Sequence, residues 1–149
     1  MAKSLRRWMF ARHSNPWSAW TRWASAPLVL VPIWTRHPRD AALVATWLAV
    51  NPVLFAKPAD DRAWATRAIL GEEQWAIHRP WDAAAVVTGV TSVTAAAAIV
   101  ASARRRPVPA AVACAAQMAL TLVYWELMAR YWERYRTSAA ASAFSTGSW

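Results

Sequence analysis

A chain of 149 residues that is 57% hydrophobic, carries 17 Lys and Arg against 8 Asp and Glu, and holds 12 Trp beside 3 Phe and 3 Tyr departs from the soluble norm in three ways at once. Its net charge of +9 does not mark a nucleic-acid binder, because the basic residues bracket apolar runs instead of gathering into one stripe interleaved with aromatics. The single cysteine, Cys114, lies inside an apolar run and excludes an internal disulfide and a Cys-based metal motif.

From the start, Lys3 to Arg12 has the pattern of an amphipathic helix, which ends before Asn15-Pro16 because a residue ahead of proline resists the helical region. Ala24-Ser25-Ala26 has the look of a cleavage box. The apolar run follows it, however, the reverse of a signal peptide, so the N-terminus is expected to be retained. That run, Ala24 to Trp34, is short; it approaches a full span if the helix begins near Trp17 and Arg22 snorkels its guanidinium to the headgroups. Ala41 to Ala56 is the second. Pro27, Pro32 and Asn51-Pro52 interrupt the pair, each proline removing a backbone donor. The two segments either span with distortion or enter and return from one leaflet, and spanning is the preferred reading.

Lys57 to Asp82 is a polar connection too long to be structureless. Asp60 or Asp61 is placed to cap a helix running to about Gln74. Trp64, Ala68 and Trp75 share one face, with Asp61, Arg62, Glu72 and Glu73 elsewhere, which predicts an amphipathic helix lying in the interface. Ala83 to Ala103 and Val108 to Met128 are each 21 residues long, the first without a charge and the second with only Glu126, and either can cross a hydrocarbon core. Arg104-Arg105-Arg106-Pro107 makes a tight hairpin between them. Val and Thr abound in the earlier of the two, yet a lone strand cannot satisfy its backbone in lipid, so helix is expected. Ala85 and Gly89, like Ala111, Ala115 and Ala119, recur every four residues and predict close helix contact; Gly89→Leu or Ala115→Leu should then force the hairpin apart. The same repeats suit contact with another subunit. Tyr124, Tyr131 and Tyr135, with Glu126 and Arg130 four apart, extend the last helix beyond the membrane. Residues 137–149, rich in Ala, Ser and Thr, are expected to be a disordered tail on a single domain of residues 1–136.

The predicted fold class is therefore all-α: an integral membrane bundle of four transmembrane helices, the first two short and proline-interrupted, with an interfacial amphipathic helix between the second and third.

His13-Ser14-Asn15-Pro16-Trp17-Ser18-Ala19-Trp20-Thr21-Arg22, then Asn51-Pro52-Val53-Leu54-Phe55, then Pro58-Ala59-Asp60-Asp61 through Trp64, Arg67 and Leu70-Gly71-Glu72 resemble an uncharacterised prokaryotic family of small membrane proteins, DUF6653. The resemblance covers roughly residues 10 to 75. It implies that these polar motifs belong together, in a prokaryotic cytoplasmic membrane, and it carries no activity.

No Gly-rich phosphate loop, nucleophile elbow or HExxH occurs, so no catalytic residue is assigned, and no metal or cofactor is predicted. His13, His37 and His78 lack a second ligand at helical spacing and suit interfacial hydrogen bonds better than metal. Asn15 and Asn51 either cap local helix breaks or line a polar pocket between them. Arg22, Arg67, Asp60, Asp61 and Glu72 either pair with one another or hold a small anion or lipid headgroup. His13, Asn15, Trp17, Arg22, Asn51, Asp60, Asp61, Arg67 and Glu72 are thus the candidate ligand-binding residues. The expected partners are the lipid bilayer and other membrane subunits or a second copy, and no nucleic acid. The leading expectation is a non-enzymatic accessory or assembly subunit; the alternative is a lipid- or quinone-binding protein with its site at the broken first and second helices. Four crossings place twelve Lys and Arg on the side of both termini against five at the opposite turns, so the positive-inside rule puts both termini in the cytoplasm.

Overall fold

Six helices and no strand make up the described residues, 13–78 and 80–146, of the computed structural model. The amphipathic helix expected over Lys3 to Arg12 lies outside them. Helix α1 (Pro16–Ala24) begins where expected, with Asn15 as its cap and Pro16 in its first turn, where the missing N–H costs nothing. Pro27 then turns the chain through one 3-10 stretch (Ala26–Val29) before α2 (Leu30–Thr35). Arg36, at φ 58°, ends α2 in the left-handed region. Helix α3 (Pro38–Leu54) follows and accommodates Pro52 in its last turn. Helix α4 (Trp64–His78) is the expected amphipathic element, shifted a few residues towards the C-terminus.

Helices α5 (Ala83–Ala103) and α6 (Pro107–Thr146) form the hairpin. Asp82 caps α5 by accepting from the amides of Ala84 and Ala85. The hydroxyls of Thr88, Thr91 and Ser92 each donate to the carbonyl four residues earlier, so the β-branched stretch satisfies its polar atoms inside its own helix. At the turn, the Arg106 amide donates to the Ala101 carbonyl at 2.9 Å and that of Arg105 to Ser102 at 3.0 Å, with Arg105 at φ 57°. This is a Schellman closure with arginine where glycine is usual. The last helix continues through Thr146, so the stretch from residue 137, expected to be a disordered tail, is helical to that point; alanine is the strongest helix former.

Two helices, α5 and the Pro107–Ala139 part of α6, are long and apolar enough to cross a membrane. Only 11% of the apolar stretch of each is buried inside the protein, whereas the core helix of a soluble domain would be mostly covered. The first two apolar segments do not supply two more long helices. One is broken into α1, the 3-10 turn and α2, and the other is a 17-residue helix. All four nevertheless run between the same two ends of the protein. Trp20 meets Trp125, the Trp23 indole donates to the Met118 carbonyl at 3.0 Å, and Trp34 meets Arg105, so α1 and α2 descend antiparallel to α6. Asp40 against Thr35, Trp47 against Ser25 and Asn51 against Ser18 return α3 along the same path.

The core sits at one end, where Ala19 of α1, Ala65, Ala68 and Ile69 of α4, Ala84 of α5, and Trp125, Met128 and Ala129 of α6 pack together. A stacked and edge-on cluster of Trp20, Trp64 and Trp125 closes its side. Both ends of α4 reach the same part of α6: Trp64 touches Trp125 and Glu126, Arg67 pairs with Glu133, and His78 approaches Tyr131 and Tyr135. Helix α4 therefore lies obliquely across α6, and Gly71 marks the crossing.

The small-residue repeats do not hold the hairpin together. Ala111, Ala115 and Ala119 are exposed, and a Cβ at Gly89 would meet nothing within 4 Å. Sequence period identifies a face but not its partner; the small residues buried on the two hairpin helices include Ala84, Ala98, Ala101 and Ala110 instead. Gln117, midway along the apolar part of α6, donates to Thr121 on the same helix at 3.2 Å.

Candidate functional site

Polar side chains converge at the end of the fold where α1, α3 and α4 meet. Asn15 Oδ1 accepts from the amides of Trp17 and Ser18, while its Nδ2 donates to the Ala56 carbonyl at 2.8 Å. One residue thus caps α1 and ties down the exit of α3. Three residues on, Ser18 is fully buried and its hydroxyl donates to Asn51 Oδ1 at 2.9 Å. Asn51 Nδ2 donates to Thr21 Oγ1 at 2.8 Å, and Thr21 donates onward to the Trp17 carbonyl at 2.6 Å. Asn51 is 0% exposed, and a buried amide is tolerable only when bonded on both its oxygen and its nitrogen, as here. The two Asn-Pro breaks therefore join through one hydrogen-bonded clasp.

Beside the clasp lies a cleft of about 310 Å³ lined by Ser14, Lys57, Asp60, Asp61, Thr66 and Glu73 among others. The Thr66 hydroxyl donates to the Ser14 carbonyl at 2.7 Å, fastening α4 to the chain ahead of α1. Asp60 closes its own turn by accepting from the Arg62 amide at 3.0 Å. Asp61 points to α6, accepting from the Trp132 indole at 3.0 Å and the Arg136 guanidinium at 2.9 Å. The indole first, and the arginine charge with it, hold the Asp61 carboxyl below the usual carboxylate range. Capping of α4 was the role expected of these aspartates; their bonds go to the turn itself and to α6.

Glu72 does not lie on the outer face expected for it. It is half-buried and faces Arg22 of α1, whose Nε donates to the Ser18 carbonyl at 3.3 Å. Burial pushes the Glu72 carboxyl up, against the pull of Arg22. Arg67 turns away towards α6, 3.3 Å from Glu133. Trp17 is 69% exposed and faces outwards, and His13 is half-buried just ahead of α1. The structure therefore gathers Asn15, Asn51, Asp60 and Asp61 at one end, couples Arg22 with Glu72, and leaves Arg67 and the side chain of Trp17, whose backbone joins the clasp, apart from both groups.

Sequence reasoning did not single out Ser14, Ser18, Thr21 and Thr66, which complete these contacts. The available signal was the spacing of Ser18 and Thr21, three apart and so on one face of α1. The tryptophans carry a further role that their number alone does not reveal. Three of them hold carboxylates: Trp64 donates to Glu126 at 2.7 Å, Trp75 to Asp82 at 3.2 Å, and Trp132 to Asp61. Among the described residues no three His, Cys, Asp or Glu gather as a metal ion would require.

An all-helical chain with two membrane-length helices and a polar clasp at their common end is the class of protein these features define. Over residues 1–143 the chain matches the family of unknown function DUF6653, and it belongs to that family; the match extends well beyond the span of residues 10 to 75 where the resemblance was first legible. No curated protein and no solved structure matches it.

Proposed function

We propose that the protein is a non-enzymatic accessory or assembly subunit of a prokaryotic cytoplasmic membrane, crossing it four times and packing against a larger complex or a second copy. The observation that carries this reading is the outward face of α6. Val108, Ala111, Val112, Ala115, Ala119 and Val123 are all exposed and form one continuous small, apolar stripe along the membrane-length part of the helix. Intramolecular packing does not use it. Small residues let helix backbones approach closely in lipid, where association depends on van der Waals contact.

Four crossings are supported by the meeting of the two turns, since the Arg36 guanidinium donates to the Ala103 carbonyl at 3.3 Å. The first segment, at roughly 30 Å for its helical and 3-10 parts, and α3, at about 25 Å, come close to the hydrocarbon thickness, and tilt or local thinning takes up the remainder. The clasp and the crossed α4 then act as scaffolding that fixes the membrane segments, with α4 in the interface.

Ala115→Leu tests the reading. In lipid nanodiscs, wild type should run as an assembly above the 16.6 kDa of one chain, and the variant should fall to a smaller mass with its helical content and melting temperature unchanged. A wild-type monomer, or an assembly indifferent to bulk at residue 115, would refute it.

A further inference from the structure

At the end opposite the clasp, an apolar groove of about 310 Å³ opens between α2 and the α5–α6 hairpin, lined by Leu30, Val31, Trp34, Ser102, Pro107 and Ala110 with Pro27. Its rim is made by the two turns. Arg36 and Arg105 both stand in the left-handed region; Arg36 reaches across to the Ala103 carbonyl, and Arg105 lies over the Trp34 ring at 5.6 Å. Arg39, Arg104 and Arg106 complete a group of five exposed arginines. All the ion pairs among the described residues lie at the other end, at Arg62, Arg67, Arg130 and Arg136, and the acid beside this rim, Asp40, is engaged by the Thr35 hydroxyl at 2.6 Å. Inside the groove, the Ser102 hydroxyl is buried, 1% exposed as a residue, and has no hydrogen-bond partner. A buried hydroxyl without a partner costs free energy that an incoming acceptor would recover.

We propose that this end binds an anionic phospholipid, its phosphate held by the arginine rim and an acyl chain lying in the groove. The combination is what such a lipid presents: fixed negative charge, hydrogen-bond acceptors at the ester level, and hydrocarbon below. Guanidinium pairs well with phosphate oxygens, and basic pockets between membrane helices suit anionic headgroups. A free phosphate would use the rim and leave the groove unfilled. The proposal rests on the membrane reading given above.

Native mass spectrometry of the detergent-purified protein, titrated with phosphatidylglycerol or phosphatidylcholine, tests it. Wild type should retain phosphatidylglycerol at least tenfold better. Arg104→Gln with Arg106→Gln should remove that preference, and Ala110→Phe, which fills the groove, should lower retention of the lipid without altering the charge. Arg62→Gln with Arg134→Gln, at the other end, should change nothing. Equal retention of both lipids by wild type, or equal loss from both arginine pairs, would overturn the proposal. If the protein instead purified from the soluble fraction without detergent, the membrane reading itself would fail, a separate result.

Discussion

Gly71 of α4 sits so tightly on the main chain of α6 that a methyl group in its place would come within 2.7 Å of the Met128 carbonyl carbon. Met128 is itself buried in the core, so neither backbone can yield cheaply. Gly71→Ala should therefore cost about 1–3 kcal/mol or more, by forcing α4 off α6. The matched control is Gly89→Ala on the open face of α5, which meets nothing and should stabilise by about 0.5–1 kcal/mol through helix propensity. Denaturant titration in detergent, monitored by helicity, should rank the two variants on opposite sides of wild type. Equal effects would contradict the close crossing.

The clasp gives a second expectation. Asn51→Leu keeps the branching and heavy-atom count of the native side chain, though with more volume, and strands the buried Ser18 hydroxyl without its acceptor, so it should destabilise by about 1–3 kcal/mol. Combining it with Ser18→Ala should cost less than the sum of the two single changes, because residues in one network couple. Strict additivity in that cycle would argue that the contact contributes nothing.

Acid should loosen α4 from the extension of α6. The Asp61 carboxyl lies below its ordinary value near 3.8 in the folded protein, so its bonds to Trp132 and Arg136 stabilise fully above that pH and are lost as pH falls from there towards the folded value. Glu72 works in the opposite sense: burial raises its carboxyl, so its contribution declines as pH rises above the ordinary 4.5. The indole N–H resonance of Trp132, followed from pH 6 downwards, should shift in wild type as pH drops below about 4. In Asp61→Asn that transition should be absent; its persistence would assign the acid sensitivity elsewhere.

Orientation can be read by labelling single cysteines in a Cys114→Ala background with an impermeant reagent on intact cells. Ala103 is exposed beside the arginine turn, a better reporter than its buried neighbour Ser102, and Ser138 is exposed on the far part of α6. Four crossings with the termini inside predict modification of Ala103→Cys and protection of Ser138→Cys. The reverse pattern would overturn that arrangement.

Uninterrupted apolar length and a charged, proline-containing turn made α5, α6 and their hairpin legible in the sequence, and Asn15-Pro16 announced the start of α1 because capping is local. What escaped was everything that depends on which face meets which partner. Gly71 looks like an ordinary weak point in an amphipathic helix until α6 is laid across it. Glu72 sits beside Glu73 and reads as solvated, but one residue of helical rotation separates a carboxylate facing Arg22 from one lining the cleft. The Ala and Gly repeats were visible, and their period was informative, but a repeat carries no mark of whether its partner belongs to the same chain. Ser18 and Asn51 lie 33 positions apart, and no local pattern connects them.

Helix α6 runs without a break from the arginine turn to Thr146, a rod of about 60 Å of which little more than half is needed to cross a bilayer. The rest projects as a lever, and α4 is strapped to its base by Trp64, Arg67 and Asp61. A tilt of the rod within the membrane by about 10° would sweep its far tip sideways by roughly 10 Å, and α4, with the cleft beside it, would turn along with the base. In the membrane-spanning arrangement proposed above, bilayer thickness and the position of the far end of this helix would be mechanically geared to each other.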